Sequence, residues 1–278
     1  NALQALGRYG APAIGYDLAG VIVTHWPISL AFGVDALSFL LSALCIFCLV
    51  SQPRPEAVEE GLTVSAFLAD LRIGLRFIQQ TTLLRSLFLL YIPVSLCFGM
   101  LNAMALPFAL RALHATEMEY SLLEGCFSIG FLVGSLAITR IPERLTPVQW
   151  VALTLIGLGL GNMAYAFSPT VLVGLILCLL YGCINAPLVI ARQLLMQRAT
   201  PAGLRGRVNS AWFALSDLFF LIGMAGAGLA DWWDVKILYF VIGGLAVLAC
   251  GLCAPLLPGF RPTDSAWRRL FARTKLAS

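Results

Sequence analysis

Apolar residues come in long blocks along this chain, separated mostly by short polar connections. A membrane-crossing helix needs about 20 predominantly apolar residues. Eight segments meet that length: 2–22, 29–50, 85–110, 118–139, 147–167, 170–192, 208–230 and 237–257. The pattern therefore predicts an all-α polytopic membrane protein. The stretch 51–84 differs, with Pro53, Pro55, Glu56, Glu59 and Glu60 followed by a shorter helix. In that helix Val64, Phe67, Leu68, Leu71, Leu75 and Ile78 recur at helical spacing, while Asp70, Arg72 and Arg76 take other faces. This is the pattern of an amphipathic helix lying at the membrane surface rather than crossing it.

Composition agrees with the pattern. Apolar residues make up 60% of the chain and charged residues 12%, about half the charged share of a soluble domain. Net charge, +4, matters less than where the basic residues fall. Assigning the connections alternately to two sides puts sixteen Lys and Arg on one side and two, Arg111 and Lys236, on the other. Basic residues concentrate in cytoplasmic loops, so the first side, with the 51–84 linker and the C-terminal tail, is expected to be cytoplasmic. All eight cysteines lie within apolar runs, where cysteine behaves as a small hydrophobe rather than a metal ligand. The chain has no phosphate-binding Gly-x-x-x-x-Gly-Lys-Ser/Thr loop and no His-Glu-x-x-His, and His25 and His114 fall in outer connections. These absences speak against a built-in ATPase or an intramembrane enzyme. No cofactor and no nucleic-acid partner is expected.

The chain opens on Asn1, directly before an apolar block and without a signal peptide; it reads as a fragment lacking its N-terminal helices. An internal repeat points the same way. Asn1-Ala2 matches Asn209-Ser210, Gly15 to Ala19 resembles Gly226 to Ala230, and Arg54-Pro55 stands opposite Arg261-Pro262. Each copy is a helix pair, and the copies are six helices apart. Parallel repeats of six helices relate the halves of major facilitator transporters. If the second copy is the last pair of twelve helices, the first is helices five and six.

Longer motifs carry a resemblance to that superfamily. Ala199-Thr-Pro-Ala-Gly-Leu-Arg-Gly-Arg-Val-Asn-Ser-Ala-Trp212 resembles the loop before its helix eleven, in the drug and siderophore exporter branch of macrolide-efflux and enterobactin-exporter type. Asn1-Ala-Leu3 with Gly10-Ala-Pro-Ala-Ile-Gly15 resembles the start of helix five there, and Ala31 to Phe39 its helix six. The loop 140–147 lacks the Gly-x-x-x-Asp-Arg-x-Gly-Arg pattern found between paired helices of many members. The resemblance implies a truncated major facilitator fold with 8 of 12 transmembrane helices. It divides the chain into 1–50 (the end of the N-terminal half), a linker 51–84, a C-terminal six-helix half 85–260 and a tail 261–278. It further implies a monomeric proton-coupled antiporter of the bacterial inner membrane, exporting an amphiphilic small molecule. A metabolite or sugar importer of the same fold is the alternative, and from other classes a membrane enzyme or scaffold.

Polar residues at membrane depth are expensive, about 2.5–3.5 kcal/mol for a charge on insertion scales, and so are functional candidates. Asp217 lies deepest, with Glu124 and Asp17 in the outer thirds of their helices; Asn102 and Asn185 are also within the core. Each has a plainer reading as an interhelical hydrogen-bonding group. Arg192 could hold an anionic substrate or snorkel to the cytoplasmic interface. Arg205, Gly206 and Arg207 form the motif of the loop before helix eleven. Gly130-x-x-x-Gly134 and Gly223, Gly226 and Gly228 mark close helix packing.

Overall fold

The computed structural model describes residues 11–48, 64–138, 145–228 and 232–253. Nine α-helices run in order through the described residues: α1 Ala11–His25, α2 Ile28–Cys48, α3 Val64–Gln80, α4 Thr82–Ala112, α5 Glu117–Ile138, α6 Pro147–Ala166, α7 Val171–Ala199, α8 Arg205–Gly226 and α9 Val235–Cys253. A short 3-10 turn, Ala202–Leu204, leads into α8. Seven of these segments are long and apolar enough to cross a bilayer. The protein is an all-α integral membrane protein. The described part of the predicted span 2–22 falls in α1; its residues 2–10 lie outside the described residues.

Helix ends follow from local chemistry. Thr146 caps α6 with a full capping box: its hydroxyl accepts from Gln149 N–H, and the Gln149 side chain accepts from Thr146 N–H. Pro147 takes the first helical turn, where its missing N–H costs nothing. Thr170 caps α7 in a similar way. At the end of α4, His114 adopts a left-handed conformation, φ 53°, and the following Ala115 N–H reaches the Ala109 carbonyl at 2.9 Å. α4 and α7 exceed their predicted spans, reaching 31 and 29 residues. Pro93, Pro107 and Pro187 are carried inside them without ending the helix, as neighbouring helices in a membrane permit.

Packing in a bilayer rests on close backbone approach and not on expulsion of water. The bundle α4–α9 is accordingly built from three glycine-seamed pairs. Where α4 meets α8, a Cβ on Gly99 would overlap the Phe220 carbonyl and one on Gly223 the Leu96 carbonyl. Along α5 and α7, Gly130, Gly134 and Gly182 face the carbonyls of Leu179, Cys183 and Phe127. Between α6 and α9, a Cβ on Gly159 would lie 2.7 Å from Gly243 O, and one on Gly243 would lie 2.6 Å from Gly159 O. Of the glycines expected to pack helices, Gly130, Gly134 and Gly223 do so. Gly226 has only the Met100 sulfur at 3.9 Å, and Gly228 nothing within 4 Å.

Two further contacts position the site. α1 lies against α5, where a Cβ on Gly20 would come within 2.5 Å of Ser121 Oγ. α2, by contrast, buries no residue, and Phe32, Phe39 and Phe47 are exposed, which hydrocarbon tolerates and water would not. α3 docks across the start of α8. Ile78 is fully buried, Gly74 abuts the Arg207 carbonyl, and the Arg207 guanidinium meets Asp70 at 2.6 Å. The packed face of α3 thus runs through Leu71, Gly74 and Ile78, while Phe67 and Leu68 of its apolar pattern stay exposed.

Candidate substrate cavity

A cavity of about 190 Å³ opens between the glycine-seamed pairs. α4 contributes Phe98, Leu101, Asn102 and Ala105; α5 contributes Tyr120, Leu123, Glu124 and Phe127. From α6 come Gly161, Asn162 and Tyr165, and from α7 Leu177, Cys178 and Tyr181. Phe220 of α8 and Tyr239 of α9 complete the described lining. The walls are mostly apolar and aromatic with a few polar groups, the usual make-up of a small-molecule site.

The aromatic walls are braced from behind. Phe108, fully buried, stacks on Tyr165 at 4.8 Å between centroids and tilts against Tyr239 at 4.4 Å. The Tyr239 hydroxyl donates to the Leu101 carbonyl at 3.3 Å, tying α9 to α4. Asn162 Nδ2 donates to the Tyr181 hydroxyl at 3.4 Å, tying α6 to α7. Phe127 and Tyr181 sit 6.0 Å apart on the opposite wall. Glu124 is half-buried and receives a hydrogen bond from the Tyr120 hydroxyl, one turn earlier on α5. Among the described lining residues Glu124 is the one carboxylate, and none is Lys, Arg or His.

The cavity brings together two of the expected residues, Glu124 and Asn102, and leaves the others elsewhere. Asp217 is exposed on α8, three residues before the cavity-lining Phe220 and outside the described lining. No described helix covers that flank of α8. Asn185 is buried within α7, one turn beyond Tyr181. Arg192 lies further along α7, its guanidinium 5.0 Å from the Tyr91 ring and 5.8 Å from the Phe213 ring. Asp17 falls in α1, but its side chain lies outside the described residues. Arg205 Nε donates to the Thr200 carbonyl at 3.3 Å, Gly206 stands in open space, and Arg207 pairs with Asp70. None of the three is in the described cavity lining, and Arg207 joins α8 to α3 through Asp70. Among the described residues no cluster of His, Cys, Asp or Glu has the make-up of a metal site.

Charge and amide content did not point to Tyr120, Tyr165, Tyr181 and Tyr239; Asn162, an amide within the span 147–167, carried the same signal as Asn102 and Asn185. One signal was present. Tyrosine in membrane helices concentrates at the interfaces, yet Tyr181 sits mid-way along α7. A mid-helix tyrosine needs a polar partner or a cavity.

The family model described as Major Facilitator Superfamily matches residues 1–224 and 87–276. The multidrug efflux pump Tap of Mycolicibacterium fortuitum is 27% identical over 271 residues, covering 96% of this chain and 64% of that protein. Tap of Mycobacterium tuberculosis (strain ATCC 25618 / H37Rv) is 26% identical over 275 residues, with 96% and 62% covered. The enterobactin exporter EntS of Citrobacter koseri is 23% identical over 256 residues, with 91% and 58% covered. The chain thus spans a little under two thirds of the length of these relatives. No solved structure matches.

Proposed function

The chain belongs to the Major Facilitator Superfamily, and from that premise we propose that it serves a secondary transporter exporting an amphiphilic small molecule by alternating access. The observation that carries this reading is the cavity: aromatic walls, one carboxylate and a few neutral polar groups, set between separately seamed helix pairs. Such a lining holds an apolar body and a polar tip together. Its position between pairs, and not inside one, lets it widen or close without breaking a glycine seam. The relatives' names, a multidrug efflux pump and an enterobactin exporter, favour outward movement. In this reading residues 1–50 belong to one half, 51–84 to the linker, 85–260 to the other half and 261–278 to a tail, and α1 against α5 is a contact between the halves.

Proton antiport is the coupling we propose, in the bacterial inner membrane with the C-terminus cytoplasmic and the protein acting as a monomer. A carboxylate in a substrate cavity is stabilised either by a proton or by a cationic group. Exchange between the two states biases which side the cavity faces. Glu124, the carboxylate in the described cavity lining, would serve this exchange. Asp217, one turn from the cavity wall and on the same flank of α8 as Phe213 and Phe220, would be enclosed only when another helix covers it. Energy-dependent efflux of a fluorescent amphiphile, followed in inverted vesicles of cells expressing the full-length protein, tests the reading. Wild type is expected to move the dye and release protons in exchange, and Asp217→Asn to keep dye binding but lose the response to a pH gradient. Gradient-driven dye movement identical in vesicles with and without the protein would refute export. Uptake of a sugar or metabolite instead would favour the importer.

A further inference from the structure

Among the described residues Arg192 is the one Lys or Arg that is not exposed. We propose that it heads an oxyanion site, with Trp212 and Ser216 of α8 as further donors. The site takes the carboxylate or phosphate of an amphiphile whose apolar body fills the aromatic cavity. The inference deepens the export reading and rests on it in taking that cavity as the substrate site.

Arg192 is held in place without being satisfied. Its guanidinium lies 5.0 Å from the Tyr91 ring and 5.8 Å from the Phe213 ring. Its Nε is buried with no hydrogen-bond partner, and no described carboxylate pairs with it. Ring faces fix the guanidinium and leave its N–H fork free for a planar acceptor. Snorkelling does not account for this pose. Side chains lean toward the N-terminus of their own helix, which aims Arg192 away from the Ala199 end of α7. Its two rings accordingly lie well inside their helices, Tyr91 nine residues past Thr82 on α4 and Phe213 eight past Arg205 on α8. The neighbourhood repeats the imbalance. Trp212 packs on the same Tyr91 ring at 5.6 Å, and its indole N–H is buried with no partner; so is the hydroxyl of Ser216, one turn further along α8. Buried donors left unmet keep their desolvation cost, and a charged oxygen is the acceptor that binds such donors most strongly. Asp217, one turn past Phe213, is exposed and forms no ion pair with Arg192.

Spacing sets the shape of the ligand. Two lining residues of the cavity each lie seven residues beyond a ring that holds Arg192: Phe98 from Tyr91 on α4, and Phe220 from Phe213 on α8. At 1.5 Å per residue that is about 10 Å, the reach of a fused aromatic body carrying a short acid chain. Glu124 in the lining repels the reverse placement, with the acid inside the cavity. The ligand is thereby oriented, its rings among the tyrosines and its acidic tip at Arg192.

Binding of tritiated pyrenebutyrate to the purified full-length protein is the test, by scintillation proximity, with pyrenebutyramide as uncharged competitor and dioleoylphosphatidylglycerol as lipid competitor. Saturable binding is expected, with the amide weaker by about tenfold or more, the scale of one charge-assisted hydrogen bond. Arg192→Gln should weaken the acid by about the same factor while leaving the amide's affinity unchanged, a split that a merely structural arginine would not produce. Arg192→Lys should recover part of the acid's affinity, and Ser216→Ala should weaken the acid less than Arg192→Gln does. Absence of saturable binding, equal competition by the amide, undiminished acid binding in a folded Arg192→Gln, or loss of acid and amide together would overturn the site. An equal loss of acid binding in Asp217→Asn would assign Arg192 to a pair with that residue and overturn it as well. Displacement of the acid by the lipid would give the oxyanion to a lipid phosphate and not to a transported molecule. If Arg192→Gln does not fold, the wild-type competition and Arg192→Lys decide. Export is read separately: Arg192-dependent acid binding without efflux sinks export and leaves the site standing, and dye efflux with no preference for the acid does the reverse.

Discussion

Gly99 on α4 is the position where one methyl group should do the most damage for its size. A Cβ there would fall 2.8 Å from the Phe220 carbonyl carbon, with the carbonyl oxygen nearer still, and 3.0 Å from Met224 N. These are backbone atoms, so no side-chain rotation relieves the overlap, and α4 and α8 must move apart. Overpacking of this kind costs about 1–3 kcal/mol. Separation also weakens the Cα–H···O contacts of the seam, about 0.5–1 kcal/mol each. Against this, alanine is better than glycine in a helix interior by about 0.8–1.0 kcal/mol. Gly99→Ala should therefore destabilise by about 0.5–3 kcal/mol on balance. Gly244 on α9 is the matched control, with nothing within 4 Å of its would-be Cβ. Gly244→Ala should keep only the propensity gain, up to about 1 kcal/mol, so the two substitutions differ in sign. Gly99→Ala with Gly223→Ala should cost less than the sum, because both open the same seam. Unfolding midpoints in mixed detergent–SDS micelles would measure all four proteins. A Gly99→Ala midpoint at or above wild type would refute the seam as the source of α4–α8 association.

Three other outcomes follow from the same packing. Trp212 is fully buried and packs on Phe88 at 5.2 Å and Tyr91 at 5.6 Å, so Trp212→Ala should cost about 3–5 kcal/mol; an SDS midpoint within experimental error of wild type would contradict it. The Arg207–Asp70 pair has side chains 44% and 51% exposed, so Asp70→Asn should change that midpoint by no more than about 1 kcal/mol; a larger fall would mean the pair is shielded. Cysteines introduced at the exposed Thr24 and Thr116 should react with an impermeant maleimide added outside intact cells, and one at the exposed Gln197 should not; labelling at Gln197 alone would invert the orientation.

Much of this protein was legible from its linear pattern, because the bilayer imposes a length and a polarity on each segment independently of its neighbours. Blocks such as 29–50, 147–167 and 237–257 had to become helices, since no other conformation satisfies every backbone group within a single segment. The amphipathic period of 64–80 announced a helix of different kind, and the Gly130–Gly134 spacing announced a packed face. The cavity was another matter. Tyr120, Asn162, Tyr181 and Tyr239 are scattered over more than a hundred residues of sequence, and helical period says which residues share a face but not which faces meet. That choice belongs to the glycine seams: by pairing α4 with α8, α5 with α7 and α6 with α9, they leave the space that Glu124 enters. The same pairing leaves Asp217, the deepest carboxylate by sequence, exposed on the uncovered flank of α8. Depth along a helix is a one-dimensional quantity that the chain carries alone, whereas burial depends on what stands opposite, and only the tertiary structure decides that.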